Sequence, residues 1–295
     1  MKILQTSYQI YRLLAFNQAV PSSCYQCRRF NSNGMVDVTG VSHGIAWVKM
    51  NKTPVNSMDG NLLEKLEAAF DKLENDDHCR GVILTSSLPN VFSAGLDIPL
   101  LLHSDRTDEF DKMWEGLQNL WLRMYCSPLT VVAAINGSAP AGGCMITLAC
   151  DYRIMAHGAH YIGISAPRLG IMPPPWVQTA LKNTIGHRRT EEALGKAKMY
   201  SVDEALKLGL IDRAVKPELL EVTALEEMDK MLAVPDHARI LSKQLMRLKD
   251  IQYLRDNQKN DLEFYQNHVM GEETQTIIKK YLHDLKQRKK SSYIY

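Results

Sequence analysis

The stretch Asn136-Gly-Ser-Ala-Pro-Ala-Gly-Gly-Cys144 decides the architecture of the chain around it. Before it, Leu129-Thr-Val-Val-Ala-Ala-Ile135 has the β-branched, apolar character of a buried strand. After it, Met145-Ile-Thr-Leu-Ala-Cys150 is apolar and holds no helix breaker. The order is strand, glycine-rich turn, buried helix. Gly142 and Gly143 stand where the helix begins, and a backbone without Cβ atoms admits a ligand or another segment closely. The first amides of a helix lack internal partners and carry the positive end of its dipole. Such an end stabilises an anion, including an oxyanion that exists only during a reaction. Taken alone, the two glycines are equally well explained by tight helix packing.

A second glycine turn, Phe92-Ser-Ala-Gly-Leu-Asp97, shifts that balance. It too follows a short apolar run, Gly81-Val-Ile-Leu-Thr-Ser-Ser87. Two such turns supply what a two-amide oxyanion hole requires. One N–H comes from a loop and one from a helix start, both aimed where a carbonyl oxygen becomes negative. Neither turn has the spacing of a phosphate-binding loop.

Working outward, Asp37–Met50 alternates around His43-Gly44 and reads as a hairpin. Met58, Leu62, Leu63, Leu66, Phe70 and Leu73 recur at helical spacing, as do Met113, Leu117, Leu120 and Met124. Asp151–Met155 and Tyr161–Ile164 are strand-like, and Gly186 separates two helical runs. From Pro235 onward the pattern is helical, ending in a basic stretch, Lys286 to Lys290, expected to be a solvated terminus. The reading is an α/β core over residues 36–215 and a helical region over 216–295, preceded by a leader over 1–35.

The leader, Met1 to Val36, contains no Asp or Glu but carries Lys2, Arg12, Arg28 and Arg29. Tyr8, Tyr11, Leu14 and Phe16 share one helical face. A basic, acid-free, amphipathic start is the pattern of a mitochondrial transit peptide, with Arg28-Arg29 near the cleavage point. A disordered tail is the competing reading. Its apolar runs are too short for a membrane span.

The 295 residues are 45% hydrophobic and 23% charged, ample for a large core. A formal net charge of +2 makes no case for nucleic acid. Of six cysteines, Cys24 and Cys27 form a C-x-x-C with no second ligand pair downstream, so no metal is expected. Cys79, Cys126, Cys144 and Cys150 stand singly among apolar neighbours, as buried reduced thiols do.

Four segments together resemble the crotonase (enoyl-CoA hydratase/isomerase) superfamily. They are Phe92–Asp97, Ala134–Cys144, Cys150-Asp-Tyr-Arg-Ile154 and Leu169-Gly-Ile171. Pro54-Val-Asn-Ser57, Asn183-Thr-Ile-Gly-His-Arg188 and Val234-Pro-Asp-His-Ala-Arg239 are similar to its isomerase branch. The likeness spans about Val36 to Leu285. It implies a spiral of β-β-α turns with a helical C-terminal region used for trimerisation, as a homotrimer or dimer of trimers. It implies a fatty acyl-CoA thioester as partner, no separate cofactor, no nucleic acid, and a place in the mitochondrial matrix. By motif position, the amides of Leu96 and Gly142 would hold the thioester oxygen. Ala94, Gly95, Leu96, Asp97 and Ile98 would line the CoA end, their backbone meeting the adenine, and Ser165 would touch substrate. Asp97 is expected to bond local amides.

The resemblance also exposes a departure. The family base is a glutamate four residues before the glycine of Leu-Gly-Ile, and here that position is Ala166. The second glutamate used by the hydratases falls on Met145. A methyl group carries no proton, so the isomerisation of 3-enoyl-CoA to 2-enoyl-CoA loses its shuttle. General acid–base catalysis supplies about 10²–10⁴-fold, equivalent to roughly 3–5 kcal/mol. His157 and His160 lie on the flanking strand, and Glu191 and Glu192 lie in the next helix. None of the four is a convincing replacement. The expectation divides between an impaired isomerase, a non-catalytic acyl-CoA binder or subunit, and a reaction that needs mainly the oxyanion hole, such as thioester hydrolysis. Pro167 and Pro173-Pro-Pro175 either stiffen the acyl pocket or are ordinary loop prolines.

Overall fold

A computed structural model describes residues 30–32, 34–102 and 107–292. The chain opens with β1 (Phe30–Ser32), β2 (Val36–Ser42), β3 (Ile45–Met50) and β4 (Ser57–Met58), then α1 (Gly60–Glu74). Next come β5 (Gly81–Ser86), β6 (Asn90–Val91), β7 (Gly95–Leu96), a 3₁₀ turn at Ile98–Leu101 and α2 (Thr107–Cys126). The glycine-rich centre is β8 (Thr130–Ile135), β9 (Gly137–Pro140) and α3 (Gly142–Ala149). It leads to β10 (Tyr152–Ala156), β11 (Tyr161–Gly163), a 3₁₀ turn at Ala166–Leu169, α4 (Pro175–Ile185) and α5 (His187–Gly195). The remainder is β12 (Tyr200–Ser201), α6 (Val202–Leu208), β13 (Arg213–Val215), α7 (Leu220–Leu232), α8 (Asp236–Met270) and α9 (Glu272–Ser292).

The larger sheet runs β1-β2-β3-β5-β8-β10-β13, and the smaller β12-β11-β9-β6. β2 and β3 pair antiparallel around His43 and Gly44, both with positive φ, as a tight hairpin requires. From β3 to β13 every neighbour in the larger sheet is parallel. Such strands are covered on both faces and so read as unbroken apolar runs. β5 and β8 are buried at every position.

The period of two sends alternate residues to two separate layers. Val82, Leu84, Val131 and Ala133 join the main core with α1, α2 and α3. Ile83, Val132, Ala134 and Ile154 meet Leu220, Ala224, Met228 and Leu232 of α7 on the opposite face. The packing is continuous across the boundary expected at Val215, because α7 is one of the two covers of the sheet. Ile251, Leu254, Tyr265 and Val269 of α8, and Ile278 of α9, enter the main core as well.

β1 lies inside the stretch expected to be a leader. It pairs with β2, and the Met35 carbonyl accepts from the Asn51 amide at 2.7 Å, so the sheet begins before the boundary set at residue 35. Residues 1–29, with the rest of the leader, Cys24 and Cys27, lie outside the described residues. Cys79, Cys144 and Cys150 are buried free thiols, whereas Cys126 is half-buried. Glu191 and Glu192 are exposed on α5. Among the described residues no helix is long and apolar enough to cross a membrane, and no three His, Cys, Asp or Glu cluster as metal ligands.

Candidate active site

The first glycine turn is held by a buried polar network. Asn56, fully buried, donates through Nδ2 to Ser86 Oγ at 2.7 Å and to the Phe92 carbonyl at 2.9 Å. Its Oδ1 accepts from the Lys52 amide at 2.7 Å. The Ser93 hydroxyl donates to the Asn56 carbonyl at 2.7 Å and accepts from the Gly95 amide at 3.1 Å. Every capacity of Asn56 that faces inward is used, so the turn is fixed rather than draped. β7 then pairs with β4, with the Asp97 amide donating to the Met58 carbonyl at 2.9 Å.

The second turn follows β9. The Ala141 amide donates to the Gly163 carbonyl at 2.8 Å, and Ala141 adopts φ 47° and ψ −115°. That is a strained conformation for a residue with a Cβ, of the kind that persists where the surroundings dictate it. α3 starts at the next residue, so the Gly142 N–H is a first-turn donor without an intrahelical acceptor.

The two turns touch. A Cβ on Gly95 would lie 2.8 Å from the Gly142 nitrogen, and one on Gly142 would lie 3.1 Å from both the Gly95 Cα and the Leu96 nitrogen. A Cβ on Gly143 would lie 2.6 Å from the Ser93 carbonyl oxygen. The crossing of two backbones therefore requires glycine at 95 and 143 and leaves little room for a side chain at 142. The same crossing brings the Leu96 nitrogen close to Gly142 and the Gly142 nitrogen close to Gly95.

Both nitrogens belong to residues lining one cavity of ≈ 290 Å³. Ala94, Ile98, Ser165 and Ala166 line it too, so six of the expected site residues are brought together. Gly95 is buried behind the wall, where its backbone supports Gly142. Asp97 does not line the cavity. Its Oδ2 accepts from the Ser57 hydroxyl at 3.3 Å and lies 3.9 Å from Lys52 Nζ. The expectation that Asp97 bonds local amides is therefore corrected: its carboxylate meets side chains of the preceding loop. The 3₁₀ turn that follows has no side-chain cap.

Leu101, Trp114, Met145, Ile171, Met172, Pro173 and Pro174 add an apolar wall, and Val269 and Tyr281 reach it from α8 and α9. The sequence marked Met145 as the position of the hydratase glutamate and gave Trp114 no role, and nothing in it tied Val269 or Tyr281 to the glycine turns. The described lining holds no carboxylate and no imidazole. Its ionisable side chains are Arg168 and Tyr281. His157 is half exposed, its Nδ1 3.7 Å from Asp203, and His160 is buried against Gly158; neither lines the cavity. Cys144, just behind Gly142 and Gly143, is fully enclosed, and burial pushes its thiol up to about 12.

Residues 40–291 match the family model described as enoyl-CoA hydratase/isomerase. The chain belongs to that family. It is 40% identical over 264 residues to mitochondrial enoyl-CoA delta isomerase 1 of Mus musculus, covering 89% of this chain and 91% of that one. The human protein of the same description is also 40% identical, over 263 residues, with 89% and 87% covered. The crystal structure of human mitochondrial delta3-delta2-enoyl-CoA isomerase superposes with a TM-score of 0.84 at 40% identity, covering 86% of this chain and 99% of that one. An enoyl-CoA hydratase from Bacillus halodurans superposes at 0.77 with 22% identity, covering 83% and 99%, a likeness of fold alone. The α/β crotonase-type core implied by the resemblance is thus the fold of this enoyl-CoA hydratase/isomerase family member.

Proposed function

We propose that this protein is an enoyl-CoA delta isomerase-like protein whose proton transfer is impaired. Kinship with the enoyl-CoA delta isomerases supports an isomerase-like role in fatty acid oxidation. The Leu96 and Gly142 amides hold the thioester oxygen and stabilise the enolate formed on it. The loop from Ala94 to Ile98 receives the CoA end, the adenine meeting its backbone, and the apolar wall takes the acyl chain with Ser165 at its edge. No cofactor beyond the CoA of the substrate is called for. The observation that carries this reading is the contact of the two glycine turns at one cavity wall.

The impairment rests on Ala166 and Met145, which line that cavity without a carboxylate. A non-catalytic acyl-CoA binder, or a subunit assembled with an active relative, is the second reading those positions favour. The acid-free leader and the mitochondrial names of the relatives support a matrix location. Exposed Leu245, Met246 and Tyr253 on α8 support a homotrimer or dimer of trimers.

The test is isomerisation of 3-enoyl-CoA by the native chain and by Ala166→Glu. The native chain is expected to turn over weakly or not at all. The variant is expected to gain about 10²–10⁴-fold. Robust native turnover unchanged by the substitution would reject the lost-base account.

A further inference from the structure

We propose that the distal half of α9 is a docking surface for an anionic lipid membrane, met through a stripe of basic residues on the side of the helix away from the cavity. Residues 279–290 hold Lys279, Lys280, Lys286, Arg288, Lys289 and Lys290 against one acidic residue, Asp284. The whole chain has a formal net charge of only +2, so the remainder is net negative. Outside the acid-free leader, positive charge is thus gathered at one helix end rather than spread over the surface. Thr274, Gln275 and Ile278 are buried, and Tyr281 reaches the cavity wall, so one side of α9 is held by the body of the protein. After Ile278 no described residue of the helix is buried.

With about 3.6 residues per turn, positions 279, 283, 286 and 290 fall on one stripe, opposite Tyr281. They are Lys279, His283, Lys286 and Lys290, with Lys280 beside them. Lys279, Lys280, His283 and Lys286 are exposed. Among the described residues, His283 Nδ1 lies 3.6 Å from Asp284 Oδ1, whereas Lys279, Lys280 and Lys286 have no acidic partner. Ammonium groups that nothing in the protein neutralises are drawn to a surface of fixed negative charge, and a basic cluster on an amphipathic helix is the pattern that anionic headgroups bind. The apolar side of α9 is already packed in the protein, so charge and not insertion holds the helix at the lipid, and the attachment is reversible. A lipid surface fits better than a nucleic acid. The stripe has no Phe, Tyr or Trp on which a base could stack, while Tyr293-Ile-Tyr295 follows the basic run in the sequence, and tyrosine favours the level of the headgroups.

The experiment sediments the full chain with vesicles of phosphatidylcholine, and with vesicles of phosphatidylcholine mixed with phosphatidylglycerol, at low and at physiological salt. Binding to the mixed vesicles alone, weakening as salt rises, is expected. Each basic side chain at an anionic surface is worth roughly fivefold in partitioning, so Lys279→Gln combined with Lys286→Gln should lower it about 20-fold. Lys207→Gln combined with Lys216→Gln removes the same charge from exposed lysines elsewhere and should cost little. Circular dichroism and the urea midpoint verify that both pairs of substitutions leave the fold intact. An equal loss in the two double variants overturns the stripe in favour of overall charge. Equal binding to neutral vesicles, or binding to neither kind, overturns the docking surface. Tighter retention by a single-stranded RNA oligomer, lost in the Lys279 and Lys286 variant, assigns the stripe to nucleic acid and overturns the lipid. Release from the vesicles by free CoA, where sodium chloride of equal ionic strength has no effect, assigns these lysines to the phosphates of CoA and overturns it as well.

Discussion

At position 166 the cavity wall carries a methyl group, and on the same wall the Gly142 N–H has no helical acceptor. The first was legible in the sequence because a motif can be counted position by position. The crossing of Gly95 and Gly142 was legible only as two separate glycine turns, since a one-dimensional pattern does not say which loops meet. Gly142→Ala would press a Cβ to 3.1 Å from the Gly95 Cα and the Leu96 nitrogen, forcing the two donors apart. Acyl-CoA affinity should fall about 10-fold or more by calorimetry, because misplacing groups by tenths of an ångström weakens a shared acceptor. Ala141 is the converse case. Its φ of 47° is strained, and Ala141→Gly should stabilise the fold by about 1 kcal/mol, read from the urea midpoint. The partners of Asp97 escaped the sequence reading because a turn motif does not reveal that Ser57 and Lys52 return to its side chain.

Among the elements, β8 and β10 with the helix α8 illustrate how one buried charge ties layers together. Asp151 accepts from the Val131 amide at 2.8 Å, from Lys243 Nζ at 2.8 Å, and pairs with Arg247 at 2.9 Å. Burial lowers the pKa of Lys243, and the charge of Asp151 opposes that shift. Asp151→Ala leaves a buried ammonium without its counter-ion and should destabilise by about 3–5 kcal/mol in denaturant unfolding. The start of α8 is joined to β5 differently. Burial alone would raise the pKa of Asp236, but hydrogen bonds from Arg80 at 2.8 Å and Arg239 at 2.6 Å outweigh it and hold the carboxyl below 3.8. A group depressed in the folded state contributes stability above its unfolded pKa and loses it as pH falls through the folded value. Thermal stability below about pH 4 should therefore drop more steeply in the native chain than in Asp236→Asn. The sequence marked these elements by period alone. It left open their partners, because a carboxylate just before a strand and a lysine in a distant helix carry no shared signal.

For the molecule as a whole, the boundary drawn at Val215 followed composition, since strands stop and helices continue. The packing does not stop there, because α7 covers a sheet face and α9 meets both 3₁₀ turns of the cavity. Gln275 Nε2 donates to the Leu101 and Val269 carbonyls, each at 2.7 Å, and Ile277 fits against Gly170. Ending the chain after Gly271 removes Tyr281 from the wall and should abolish measurable acyl-CoA binding, even where circular dichroism shows the remaining helices intact. Met246, 85% exposed on α8, is the most exposed large apolar side chain described. Met246→Glu should shift sedimentation toward the single chain if that surface is shared between copies. The late position of Val269 and Tyr281 has a bearing on biosynthesis. Both glycine turns are made long before either residue, so the cavity wall is incomplete early in synthesis, and ligand capture waits until Val269 and Tyr281 have been added and have closed on the turns.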